Sequence, residues 1–160
     1  MIFLTVGTQF PFDRHVKSLD QAFDEGLIDE EIFAQIGQGS YQPRNFDSVT
    51  TLDKDLFDKH LKDASSIISH AGMGTITMAF ENKKPLLVMP RLAKYGEVVN
   101  DHQKAIAKKF SELGYLLVAY DVEDLPEGIR KLKNFVPNER KVNPKPVADR
   151  INLFLNSLQN

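Results

Sequence analysis

Two glycine-bearing turns hold the residues of this chain best suited to chemistry. The run Ser69-His70-Ala71-Gly72-Met73-Gly74-Thr75-Ile76 follows a short apolar stretch, 66–68, and opens a helical pattern. A strand that turns through two glycines into a helix presents backbone N–H groups, and the positive end of the helix dipole, to an anion. The arrangement recurs at the chain start, where apolar residues 2–6 end in Gly7-Thr8-Gln9 ahead of a helix-like segment over 13–25. Two such turns can converge on one phosphorylated ligand. The cradle is of a general kind, because the third glycine of a dinucleotide fingerprint would fall at Thr77 and the lysine of a Walker loop is missing. What remains is close backbone approach at Gly72 and Gly74, a hydroxyl at Thr75 and an imidazole at His70. A Gly-x-Gly turn serves equally well as a plain tight connection.

A second constellation follows the apolar run 86–89. Residues 90–103 read Pro-Arg-Leu-Ala-Lys-Tyr-Gly-Glu-Val-Val-Asn-Asp-His-Gln, fourteen residues where a strand-to-helix connection needs far fewer. Asp101 and Gln103 offer acceptors and donors suited to sugar hydroxyls, and Glu97 reads either as a ligand or as an acid at a helix start. His15 and His60 lie in helix patterns that suit packed or solvated rings, and no spacing gathers the histidines into a metal site.

These turns need a scaffold, and the apolar pattern supplies one. Strand-like runs at 2–6, 32–36, 48–52, 66–69, 86–89 and 116–120 alternate with helical spacings at Val16, Leu19, Phe23; Phe57, Leu61, Ala64; Ile76, Ala79, Phe80; and Ile106, Phe110, Leu113. Runs apolar on both faces and separated by helices predict an α/β fold with a doubly wound, mostly parallel sheet, whose ligands bind at the carboxyl ends of strands. Both glycine turns stand at such ends. One segment, 37–45, joins two strands without a helix. The tail differs: from 130 to 150 seven Lys or Arg face two acids, with Pro137, Pro144 and Pro146, which predicts a basic connector leading to a final helix carrying Val147, Ile151, Phe154, Leu155 and Leu158.

With 160 residues, 42% hydrophobic and 26% charged, one domain spanning 1–160 is expected, its last part, 136–160, being the connector and helix. A net charge of −2 argues against nucleic acid as a partner. The absence of cysteine removes disulfides, thiolates and the usual zinc patterns, and suits a reduced, cytosolic protein. No apolar run has the length to cross a bilayer, so membrane contact is expected to be peripheral or through a partner.

Taken in order, residues 69–76, Lys84-Pro85-Leu86-Leu87-Val88-Met89-Pro90 and Asn100-Asp101-His102-Gln103 resemble the C-terminal donor half of glycosyltransferase family 28. The opening Val6-Gly7-Thr8-Gln9 with Phe12-Asp13 is similar to the start of small subunits of split UDP-sugar transferases, and 90–103 is most similar to their bacterial exopolysaccharide branch. The resemblance covers most of 1–120. It implies a Rossmann-like half of a GT-B enzyme that takes a UDP-sugar as donor, needs no cofactor or metal, and inverts the anomeric carbon. It also implies a membrane-associated partner subunit that binds a lipid-linked saccharide acceptor and carries the general base, so that the chain would sit in the cytoplasm, peripheral to the inner face of the membrane. The diphosphate role carries onto Gly7, Thr8, Gln9, His70, Gly72, Met73, Gly74 and Thr75, and the sugar role onto Glu97, Asp101 and Gln103. The acid that grips the ribose should lie three positions after Thr75; that position is Met78, and Glu81, one turn further, is expected to substitute. Two alternatives stand beside this reading: a non-catalytic enhancer subunit of such a transferase, and an unrelated nucleotide-binding doubly wound protein.

Overall fold

The computed structural model of the protein describes residues 1–139. In it six strands, β1 (Ile2–Thr5), β2 (Ile32–Gln35), β3 (Asp47–Val49), β4 (Ser66–His70), β5 (Leu86–Met89) and β6 (Leu117–Val118), form one sheet in the order β3-β2-β1-β4-β5-β6. Every pairing is parallel. Helices α1 (Asp13–Asp24), α2 (Lys54–Asp63), α3 (Met73–Glu81), α4 (His102–Glu112) and α5 (Leu125–Leu132) supply the layers.

Each central strand is apolar on both faces because each face is covered. Ile2 and Leu4 of β1, with Ile68 of β4 and Leu87 and Met89 of β5, meet Val16 and Leu19 of α1 and Leu125, Ile129 and Leu132 of α5. Phe3, Ile67, Leu86 and Val88 point the other way, into Leu61, Ile76, Ala79 and Ala107 of α2, α3 and α4. Leu61 is fully buried, and its burial contributes about 2 kcal/mol. Helix starts follow local chemistry: Asp53 accepts from the Leu56 N–H at 2.9 Å ahead of α2, and α5 opens with Pro126 in its first turn.

The structure adjusts several expectations. β3 and β6 are shorter than the apolar runs 48–52 and 116–120 that announced them. Helix α5 was not expected, and its last turn contains Arg130, where the basic connector was predicted to begin. It forms because Leu125, Ile129 and Leu132 fall on one face and Gly128 lets that face approach the sheet, a Cβ there meeting Leu87 Cδ1 at 2.9 Å. The predicted final helix at 147–158 lies outside the described residues. Segment 37–45 does join β2 to β3 without a helix, and α1 holds it in place. The Asp20 carboxylate accepts from Tyr41 Oη at 2.6 Å and from the Asn45 N–H at 3.0 Å, while Asp13 accepts from Ser40 Oγ at 2.6 Å.

Candidate functional site

Strand order reverses between β1 and β4, which leave the sheet in opposite directions through the connections that follow them. Such a reversal opens a crevice at the carboxyl ends of the strands. The register pairs Thr5 with Ser69, so the Gly7 and Gly72 turns begin side by side. His70 joins them. A Cβ on Gly7 would lie 2.8 Å from His70 Cε1, and one on Gly72 would lie 2.1 Å from His70 Nε2. The imidazole therefore fills the space that two absent side chains vacate. Gly7 also needs its freedom, since its φ is +75°.

Beyond His70 the chain enters α3 with Gly72 as N-cap and no side chain capping the helix. Its first-turn N–H groups are left to the adjoining space. That space is a cavity of about 490 Å³, of a size usual for small-ligand sites. Gly7, Thr8 and Gln9 line one side of it, and His70, Gly72, Met73, Gly74 and Thr75 the other. Gln103 reaches it from α4, its Oε1 accepting from the Arg91 N–H at 3.1 Å. A hollow of about 520 Å³ beside Phe80, Tyr115 and Val136 is as large, but no pair of turns converges on it.

Three expected residues stand elsewhere. Glu97 is committed to protein, accepting from Arg14 Nε at 2.8 Å, Arg14 Nη2 at 2.9 Å and the Leu92 N–H at 2.9 Å. Asp101 accepts from the Ala93 N–H at 2.8 Å, which closes the 90–103 connection on itself. Glu81 is exposed at the far end of α3, about 9 Å along the axis from Thr75 at 1.5 Å per residue. Neither Glu97, Asp101 nor Glu81 lines the cavity.

Arg14 links α1 to two loops, since its Nη1 also donates to Asp121 at 2.8 Å. Lys94 Nζ and Tyr95 Oη add further bonds to Asp121 at 2.6 and 2.9 Å. Burial alone would raise the Asp121 carboxyl, but these donors, the Val122 N–H and the Arg14 charge hold it down at about 2. This ionic cluster buttresses the 90–103 connection from outside the cavity.

Inside, the electrostatics run the other way. Burial, assisted by the nearby Arg91 charge, lowers His70 to about 4, so its ring is neutral at pH 7. His15 of α1 is fully buried below the first loop and lowered to about 3, by desolvation first and then by Arg14, His70 and Arg91. Among the described residues neither His15 ring nitrogen has a hydrogen-bond partner. Arg91 also lines the cavity, a role its position in 90–103 did not reveal. The visible sign was a basic residue next but one to a strand end. The arrangement offers N–H groups, a neutral imidazole and a guanidinium to a ligand, with no carboxylate among the lining residues, which is the inventory of an anion site.

Comparisons with known proteins agree with this geometry. The glycosyltransferase family 28 C-terminal domain matches residues 1–153. The human UDP-N-acetylglucosamine transferase subunit ALG13 is 32% identical over 124 residues, which is 72% of this chain and 10% of that protein. The chain thus spans about a tenth of the length of that relative. An NMR structure of ALG13 has the same fold, with a TM-score of 0.64 at 20% identity, covering 94% of this chain and 93% of that one. The glycosyltransferase SnogD from Streptomyces nogalater has a TM-score of 0.61 at 22% identity, covering 83% of this chain and 34% of that one. The alternating strands, the crevice between β1 and β4 and the family match together make this chain a member of the glycosyltransferase family 28 C-terminal domain family.

Proposed function

We propose that this chain is the donor-binding subunit of a two-component inverting glycosyltransferase, and that its cavity holds the diphosphate of a UDP-sugar. The convergence of both glycine turns on His70 carries this reading, because it places an uncapped helix start and the 7–9 loop on one cavity of about 490 Å³. An acceptor hydroxyl would displace UDP from the anomeric carbon, with N–H groups at 72–75 and 7–9 stabilising the leaving diphosphate in place of a metal. Thr75 and Gln103 border the same space and would orient the donor.

A single Rossmann-like unit leaves its crevice open to water, and a facing domain is needed to close it. We assign that domain, the general base and the site for a lipid-linked saccharide acceptor to a membrane-associated partner, and place the reaction in extracellular polysaccharide assembly at the cytoplasmic face of the membrane. Among the described residues no helix is long and apolar enough to cross a membrane. The name of the human relative, a transferase subunit, supports a divided enzyme. Titration with UDP followed by transfer assays across UDP-sugars, with and without the co-purified partner, tests the proposal. Binding of UDP by the chain and transfer only by the pair are expected. Failure to bind UDP would refute the donor site, and full transfer by the chain alone would refute the division of labour.

A further inference from the structure

Arg91 is 3% exposed, and among the described residues no carboxylate forms an ion pair with it. The nearest negative influence is Glu97, which is already occupied by Arg14. Instead, Arg91 Nη2 donates to the carbonyls of Val6 at 2.7 Å and Phe10 at 2.6 Å. These two carbonyls are the ends of the loop that carries Gly7, Thr8 and Gln9. The guanidinium carbon lies 4.9 Å from the Phe12 ring centroid, and Nε is buried with no hydrogen-bond partner among the described residues. Carbonyl dipoles and a ring face offset a buried cation only in part, so a missing anion is implied. Burial lowers this group to about 10, which leaves it protonated at pH 7. The same residue borders the cavity.

We infer that Arg91 is the anion-positioning residue of the cavity: it ties both ends of the 6–10 loop together and supplies the fixed positive charge that a bound diphosphate neutralises. The inference rests on the donor-site reading above and names the residue that makes that site selective for an anion. It also couples ligand to loop, because the charge that the diphosphate relieves is the one that braces the loop carrying Gly7, Thr8 and Gln9. A lysine does not reproduce the planar fork, so charge alone is insufficient.

NMR titration of the full 160-residue chain with UDP and, separately, with uridine tests this in the wild type, Arg91→Met and Arg91→Lys. Removing a charged hydrogen-bonding partner predicts a loss of about 10- to 100-fold in UDP affinity for Arg91→Met, with uridine affinity unchanged. Arg91→Lys is expected to fall between, and the salt dependence of UDP binding to flatten in the methionine variant. Should Arg91→Met fail to fold, the lysine variant decides: a lowered ratio of UDP to uridine affinity supports the role. An unchanged ratio in a folded variant overturns it while leaving the donor site standing. No UDP binding by the wild type overturns both.

Discussion

Substituting leucine for His15 should flatten the acid limb of the stability curve while leaving neutral stability nearly untouched. His15 is fully buried on α1, its ring packed 5.1 Å from the Phe12 ring, and neither nitrogen hydrogen-bonds to any of the described residues. Leucine has a similar volume and breaks no bond, so at pH 7 the change should stay within about 1.5 kcal/mol. Acid behaves differently. Burial lowers His15 from 6.5 to about 3, so below pH 6.5 the unfolded chain takes up a proton that the folded chain refuses. Stability is then lost at a rate that approaches about 1.4 kcal/mol per pH unit, or about 1.6 kcal/mol between pH 6.5 and 5. His70, lowered to about 4, adds a similar loss over the same window. The carboxylates held low, such as Asp121 and Glu30, begin to cost stability only near their ordinary values of 3.8 and 4.5, so the window isolates the two histidines. Urea unfolding at half-unit pH steps should therefore show about 3 kcal/mol lost by the wild type from pH 6.5 to 5, and about half that by His15→Leu. Parallel curves for the two proteins would refute the assignment of a neutral, unpartnered imidazole to this site.

The glycines of the second turn make opposite predictions. Gly72→Ala drives a Cβ against the His70 ring, and should abolish UDP binding in a titration while the circular dichroism spectrum persists. Gly74→Ala meets nothing within 4 Å and should raise stability by about 0.5–1 kcal/mol, read as a higher melting temperature. Asp20→Ala orphans the backbone N–H groups of Arg44 and Asn45, and should cost about 1–3 kcal/mol in urea, with faster amide exchange confined to 41–46. Asp121→Asn removes the charge shared by Arg14 and Lys94. It should increase proteolysis within 90–101 without changing the helical content.

Apolar periodicity was enough to announce a parallel doubly wound sheet, because strands covered on both faces carry apolar side chains on both, as Phe3 beside Leu4 and Leu87 beside Val88 do. The glycine turns were legible for a related reason: backbone that must bend through Gly7 or approach His70 at Gly72 tolerates no side chain. Helix α5 is hard to see in the sequence because it is short and carries Gly128, a poor helix former, whose use is evident only where Leu87 needs the room.

Polar side chains were decided only by the tertiary structure. Glu97, Asp101 and Gln103 share one connection, yet the first meets Arg14 from α1, the second closes on Ala93, and the third reaches the cavity. No local rule separates them, because a carboxylate's partner is whichever donor the fold brings within about 3 Å. Arg91 and His15 show the same dependence: residue type told what each can do, and burial among segments distant in sequence determined what each does.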